Sequence, residues 1–280
     1  MTRTRKPPRV AFQGERGAFS QEAARLLLGA RLDLRPLPRF ADVFRALAAG
    51  RVDYAVIPIE NTLAGSVHEN YDHLLGFQLP IVGETHLRIV HNLIARPGVR
   101  FAQVRRVFSH PVALDQCLRF FALHRRLRPE TYYDTAGSVK MLMSEAPPDA
   151  AAIASAAAAE VYGGRILRRS IEDDRRNFTR FFLLARRAPR GPSAAQPKTS
   201  IVFTTRNIPG ALFRCLSAFA LRDINLNKIE SRPLRGKPWE YLFYLDFLGS
   251  PSEPRCRNAL HHLAELTDLL RVLGCYPRGA

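Results

Sequence analysis

From residue 9 to residue 185, short apolar runs alternate with stretches of helical spacing, and most exchanges fall at glycine or a polar loop. Parallel neighbours in a sheet need a crossover, and a helix is the usual one, so this alternation predicts a mostly parallel α/β architecture. Strands are expected at 9–13, 53–59, within 81–95, and at 104–108, 150–154 and 177–185. Helices are expected at 21–28, 40–49, 67–75, 111–121, 139–144 and 155–162.

The pattern stops at Ala188-Pro189-Arg190-Gly191-Pro192-Ser193-Ala194-Ala195-Gln196-Pro197, which has no periodicity and reads as a linker. It then restarts with a strand (200–205), a helix (210–222), a strand (224–231), a turn (233–238), an aromatic-rich strand (239–247), a helix (254–267) and a last strand (269–276). That order, βαββαβ, is the ferredoxin-like split unit, which by itself names no function.

Composition excludes several classes. The 280 residues, 46% hydrophobic and 24% charged, suit a globular protein with ample core. No apolar run approaches a membrane span, and the basic, proline-containing start lacks the apolar core of a secretory signal. Cys117, Cys215, Cys256 and Cys275 lie far apart with no CxxC spacing, which suits reduced, mostly buried thiols in a cytoplasmic protein. The net charge of +17 invites nucleic acid as a partner. Lysine, however, stands only at Lys6, Lys140, Lys198, Lys228 and Lys237, and the arginines that make up the rest are scattered without a nucleic-acid motif. A positive field could still gather an anionic small molecule.

Three places concentrate polar chemistry. In 177–185, Asn177-Phe178-Thr179-Arg180-Phe181 opens a buried strand with a carboxamide, a hydroxyl and a guanidinium, although a plain polar strand start reads the same way. Gly14-Glu15-Arg16-Gly17-Ala18-Phe19-Ser20 joins a strand to a helix, the arrangement that aims backbone N–H groups at an anion, but it lacks the third glycine and acidic residue of a dinucleotide site. Glu60-Asn61-Thr62-Leu63-Ala64-Gly65-Ser66 follows a strand end, where open α/β sheets place ligands; a helix cap and turn explain it equally well. Ser109, with Pro111 inside the first turn, reads as a helix N-cap. Helix starts near Ser20, Pro111 and Ala136 would, if they converge, bind carboxylates without metal or nucleotide. The histidines form no metal-ligand spacing, and Glu172-Asp173-Asp174 reads as a solvated loop.

Taken together, these segments resemble prephenate/arogenate dehydratases with a C-terminal ACT regulatory domain. The resemblance is carried by Phe12-Gln13-Gly14 with Gly17-Ala18-Phe19-Ser20, Pro58-Ile59-Glu60-Asn61-Thr62, Ile81-Val82-Gly83-Glu84, Ser109-His110-Pro111 with Gln116-Cys117, Asp134-Thr135-Ala136-Gly137, and Asn177 to Phe181. In the second domain it rests on Gly210-Ala211-Leu212-Phe213 and Glu230-Ser231-Arg232-Pro233. It implies a bilobal, periplasmic-binding-protein-like catalytic domain over 9–187, with lobes at about 9–82 plus 172–187 and 83–171. A linker at 188–198 and a ferredoxin-like ACT domain at 199–280 would follow.

The implied reaction expels water and CO2 from prephenate to give phenylpyruvate for phenylalanine biosynthesis, with no cofactor and no metal. Carried over from the family, Thr179 is the catalytic threonine, and Glu60, Asn61, Ser109, Gln116 and Arg180 line the site. Ser20, Thr62, Thr135, Ala136, Ser138, Asn177 and Phe181 are the implied substrate-binding positions. Arg180 reaches substrate only at an irregular strand edge, because consecutive strand residues face opposite ways; otherwise it braces the fold. Ser138 stands where the family more usually has alanine, and either alters substrate discrimination or caps the helix. Phenylalanine is the implied effector, held at Asn207, Gly210, Ala211, Leu212, Glu230, Ser231 and Arg232 in a homodimer or homotetramer. Arogenate as substrate, and a non-catalytic amino-acid-sensing protein, are the alternatives.

Overall fold

A computed structural model describes residues 6–145, 147–188, 196–234 and 240–279. The first strand, β1 (Arg9–Gln13), buries Val10, Ala11 and Phe12 in succession. Burial on both faces marks an inner parallel strand. Accordingly, α1 (Phe19–Leu28) leads to β2 (Asp33–Leu37) and α2 (Phe40–Ala48) to β3 (Tyr54–Asn61), and both strands flank β1 in parallel. The two-residue β4 (Gly65–Ser66) folds back on the end of β3, and α3 (His68–Phe77) leads to β5 (Ile81–Arg88).

A second sheet follows, built from β6 (Asn92–Ala95), β7 (Arg106–Ser109), β8 (Arg128–Thr131), β9 (Ala150–Ala154) and β10 (Arg165–Arg168), in the order β10-β6-β9-β7-β8. Its connections carry α4 (Pro111–Asp115), α5 (Leu118–Leu123), α6 (Thr135–Glu145) and α7 (Ala156–Tyr162). Every residue of β9 is buried, and its alanines alternate between two core clusters, one with Val139 and Leu142 of α6, the other with Leu93 and Cys117. The chain then returns to the first sheet as β11 (Phe178–Ala185), inserted between β3 and β5 to give β2-β1-β3-β11-β5. The first crossing between the sheets comes at residues 89–91 rather than at 82, because β5 stays in the first sheet as far as Arg88.

The two crossing segments are bonded to each other. Ile89 N–H donates to the Asn177 carbonyl at 2.8 Å, and Ile171 N–H to the His91 carbonyl at 2.9 Å. The Glu172 carboxylate, 1% exposed as a side chain, accepts from His91 N–H and from Arg88 Nη2, each at 3.0 Å. Asp173 N–H donates to the Gln116 carbonyl, and its carboxylate caps the start of α5 through Arg119 N–H at 3.0 Å. The solvated-loop reading of Glu172-Asp173-Asp174 is therefore corrected: the carboxylates of Glu172 and Asp173 tie the return to distant backbone, and that of Asp174 accepts the nearby Arg176 N–H at 2.8 Å.

Other local expectations shift for capping reasons. The helix expected over 111–121 breaks into α4 and α5 at Gln116 and Cys117. Its N-cap is His110, whose Nδ1 accepts Val112 N–H at 3.3 Å. Ser109, the expected cap, is fully buried and donates instead to the Ile153 carbonyl at 2.7 Å. Helix α6 starts at Thr135, four residues before the expected 139, because Asp134 Oδ1 accepts Gly137 N–H at 2.7 Å. Strands β2 and β8, polar or proline-containing and short, were not expected.

Contact density divides the chain into two compact units, Met1–His73 with Thr85–Leu183 and Leu74–Glu84 with Leu184–Ala280. In the second, β12 (Pro197–Thr204), α8 (Ala211–Ala220), β13 (Leu226–Pro233), β14 (Tyr241–Leu248), α9 (Pro254–Leu266) and β15 (Leu270–Pro277) follow in the predicted βαββαβ order. They form a four-stranded antiparallel sheet, β13-β14-β12-β15, over a core that includes Phe203, Phe219, Phe247 and Leu263. The buried Glu84 carboxylate accepts both from Lys198 Nζ, at 3.1 Å, and from Gly279 N–H, at 3.0 Å. Most of the expected linker (189–195) and most of the turn at 233–238, with Trp239, lie outside the described residues. Of the four cysteines, Cys117, Cys215 and Cys256 are buried, and all are free.

The loop after β1 docks on α7 with no room to spare. Gly17 has φ +84°, its carbonyl accepts from Ser155 Oγ at 2.7 Å, and a Cβ there would lie 2.6 Å from Ala158 Cα. Gly17→Ala is therefore expected to lower stability by more than about 1 kcal/mol, since both the positive φ and the close approach are lost. Urea unfolding checks this, and an unchanged midpoint would contradict it.

Candidate active site

A cavity of about 490 Å³ lies in the first unit between the two sheets' layers. Its polar lining includes Gln13, Ser20, Asn61, His91, His110, Gln116, Tyr133, Asp134, Thr135 and Thr179. Phe19, Phe40, Pro58, Val67, Ile89, Val112 and Phe181 make an apolar wall around them. A mostly apolar cleft with a few convergent polar groups is the usual form of a small-molecule site.

Strand geometry decides which side chains of the opening motif reach it. Along β11, Thr179 and Phe181 face the cleft, as residues two apart must. Arg180 faces the other way and lays its guanidinium 4.6 Å over the Phe182 ring. Arg180 is 6% exposed within the strand Phe178–Ala185 and stays out of the cleft lining.

At the floor of the cleft four carboxamide and hydroxyl side chains meet. Asn61 Oδ1, at the end of β3, accepts the backbone N–H groups of Leu63 at 3.0 Å and Ala64 at 2.8 Å. Its Nδ2 donates to Asn177 Oδ1 at 2.7 Å and to Thr179 Oγ1 at 2.9 Å, with the Phe178 carbonyl at 3.2 Å. Asn177 Nδ2 donates to Gln116 Oε1 at 2.8 Å, and the same oxygen meets His91 Nε2 at 2.9 Å. Thr179 Oγ1 thus accepts from Asn61, while its own proton finds no acceptor among the described residues. Burial holds the His91 imidazole below its usual pKa, and does the same at His110, so both are neutral near pH 7. Burial pushes the Asp134 carboxyl up, against backbone N–H bonds from Gly137 and Ala136.

Of the positions carried over to the catalytic domain, Ser20, Asn61, Gln116, Thr135, Thr179 and Phe181 line the cleft together. Asn177 is fully buried behind them and joins only through its hydrogen bonds. The remaining positions do not line the cleft. Thr62 Oγ1 donates to the Arg176 carbonyl at 2.8 Å and accepts Phe178 N–H at 3.0 Å. Glu60 pairs across to Ser66 and stays out of the lining. Ala136 is buried in α6, and the Ser138 hydroxyl donates back to the Asp134 carbonyl at 2.8 Å, one turn earlier. That is neither a cap nor a cleft contact, because Asp134 already caps the helix. The helix starts at α1, α4 and α6 do converge, but His110 and Asp134 cap the last two, leaving α1 alone without a side-chain cap. His91 and Asp134 were missed as site residues; a polar residue inside the apolar run at 81–95 was the available signal for the first.

In the second unit, a separate cavity of about 250 Å³ is lined by Asn207, Gly210, Ala211 and Leu212, together with Phe213, Tyr241 and Phe243. Gly210 sits at the N-cap of α8 with φ +76°. Glu230, Ser231 and Arg232 lie on β13 and do not line that cavity.

Residues 10–189 match the family described as prephenate dehydratase. A protein of Arabidopsis thaliana named arogenate dehydratase/prephenate dehydratase 2, chloroplastic, is 46% identical over 278 residues, 96% of this chain and 72% of its own. Among solved structures, prephenate dehydratase from Arthrobacter aurescens in complex with L-Phe is 31% identical, with a TM-score of 0.89 over 96% of this chain and 90% of that one. GqqA, described as a novel type of quorum quenching acylase, is 36% identical, with the same TM-score of 0.89 over 96% of this chain and 97% of that one. The expected cytoplasmic placement is corrected: three Arabidopsis thaliana relatives, 46%, 43% and 45% identical to this chain, are named chloroplastic. Motifs, fold and cleft agree with the match over most of the chain, which belongs to the prephenate dehydratase family.

Proposed function

We propose that the chain is a prephenate dehydratase of phenylalanine biosynthesis, with residues 9–187 as the dehydratase and 199–280 as an ACT sensor of phenylalanine. In the reaction the bond to the ring carboxyl breaks, its electron pair moves into the ring, and the ring hydroxyl leaves from the far side. The ring becomes aromatic, so the driving force lies in the substrate. What the protein must add is a proton for the departing hydroxide and a place for the carboxylates.

The observation that carries this reading is the direction of the bond between Asn61 and Thr179. Asn61 donates to Oγ1 at 2.9 Å, which leaves the threonine as a donor facing a substrate-sized cleft. The same direction argues against an acylase. A nucleophilic threonine needs a base to take its proton, and a carboxamide N–H cannot. Cys117 offers no substitute, since burial drives its thiol pKa up. In this reading Gln116 and Asn177 hold Asn61 in place. The uncapped start of α1 at Ser20 faces a substrate carboxylate, Thr135 offers a hydroxyl and Phe181 an aromatic wall. Arg180, Glu60, Ser109, Thr62, Ala136 and Ser138 keep supporting roles only.

Thr179→Ala is expected to lower turnover of prephenate by about 10²–10⁴-fold while the fold is kept. A folded variant with normal turnover would remove Thr179 from the mechanism. Supplying prephenate and arogenate separately and identifying the product tests the substrate: phenylpyruvate from the first supports the reading, and phenylalanine from the second alone would make the chain an arogenate dehydratase. Both activities appear in the Arabidopsis relative's name.

For the sensor, the Arthrobacter protein's complex with L-Phe supports the effector. The cavity at Asn207, Gly210, Ala211 and Leu212 is the proposed place, with Glu230, Ser231 and Arg232 completing it from a second copy in a dimer or tetramer. Leu212→Ala is expected to raise the phenylalanine concentration for half-maximal effect about tenfold, with turnover in its absence unchanged. Phenylalanine titration of the purified variant checks this.

A further inference from the structure

One ring in the cleft wall has no place in the mechanism so far. His91 is 2% exposed, stands on the first crossing between the sheets, and keeps Nδ1 buried with no hydrogen-bond partner. Phe19 packs edge-on against it at 5.8 Å. Its state follows from a chain of donors and acceptors that begins in the backbone.

Backbone N–H groups can only donate. Since those of Leu63 and Ala64 both point at one end of the Asn61 amide, that end is oxygen and the other is nitrogen. Asn61 Nδ2 then requires an oxygen from Asn177, which turns the Asn177 nitrogen toward Gln116. Gln116 must answer with Oε1, and that oxygen also faces His91 Nε2 at 2.9 Å. Two lone pairs cannot share that contact, so Nε2 carries the hydrogen and Nδ1 is the bare nitrogen.

Resting on the dehydratase reading, we propose that His91 is a positioning residue: its Nε2–H fixes Gln116, and through Asn177 and Asn61 keeps Thr179 as the hydrogen-bond acceptor of Asn61, with its own proton available to substrate. The Nδ1–H tautomer would turn Gln116 over, set its amide nitrogen against that of Asn177, and unseat the carboxamides behind Thr179. The unpartnered Nδ1 is what the structure accepts in exchange. It also opposes protonation, because an N–H there would have no acceptor.

The first test needs no variant. Nitrogen-15 NMR of the imidazoles in the full-length protein near pH 7 separates the two tautomers, and His91 is expected to be the Nε2–H form. An Nδ1–H form overturns the proposal, and neither outcome depends on what reaction the protein catalyses. The second test is kinetic. His91→Phe keeps the ring packing without the donor and is expected to lower kcat on prephenate about 10- to 100-fold, with KM changed less than about threefold. His91→Gln, whose amide nitrogen falls near Nε2, is expected to recover most of the loss. A folded His91→Phe with normal kcat, or His91→Gln no better than His91→Phe, overturns it. In a Thr179→Ala background the His91→Phe effect is expected to vanish, because it acts through that hydroxyl; an undiminished effect there overturns the chain. If Thr179→Ala itself leaves turnover normal, the catalytic reading fails while the tautomer result stands.

Discussion

The carboxamide of Asn61 is held by two backbone N–H groups, and the chemistry of the cleft depends on which way that holds it. A side-chain amide can ordinarily turn over at little cost, exchanging a donor for an acceptor. Here the turn at Leu63 and Ala64 removes the choice. The polarity is then passed along, from Asn61 to Asn177 to Gln116 to His91, with each contact between 2.7 and 2.9 Å. Networks of this kind are stable when every member is satisfied, and the one orphan, His91 Nδ1, lies at the far end where it disturbs no other bond.

A second constraint is what the cleft lacks. Among the described residues that line it there is no lysine or arginine, although the chain carries a net charge of +17. For most carboxylate ligands a guanidinium would be the obvious partner. In a decarboxylation it would be the wrong one at the carboxyl that leaves, since an ion pair holds the ground state more tightly than the transition state, where that charge is dispersing. An apolar wall of Phe181, Phe19 and Ile89 with neutral imidazoles stabilises dispersed charge relative to localised charge. The surface arginines can raise the local concentration of an anion without touching it.

The sequence was most informative where hydrophobic period and turn chemistry agree. The α/β alternation and the βαββαβ unit could be read directly, and motif resemblance carried Thr179, Asn61 and Gln116. What could not be read was direction. Spacing puts Thr179 and Arg180 side by side, whereas the pleat of β11 sends one into the cleft and the other over Phe182. Ser109 and Ser138 looked like caps, but His110 and Asp134, each one or a few residues away, took those positions and left both hydroxyls bonded to carbonyls. Glu172 looked solvated because its neighbours are charged; burial came from the return of the chain against Arg88 and His91, a long-range contact that no local pattern encodes.

The site and the paired crossings are made of the same residues. His91 lies on the first crossing and Asn177 at the end of the second, and the two crossings are bonded through Ile89, Ile171 and Glu172. Gln116 reaches them from the break between α4 and α5, and Asn61 from the end of β3. On the opposite side of the cleft, Glu15 meets Tyr133 and Lys140, each at 3.0 Å, and these exposed contacts are weak ones. Beside them the contacts are buried: Ser155 Oγ donates to the Gly17 carbonyl at 2.7 Å, and Phe12 and Ala18 share a core cluster with Ala136 and Ala158. The cleft is therefore held on both sides, at the crossings and at the loop after β1, and the bond from Asn61 to Thr179 is set by the folded chain before any ligand arrives.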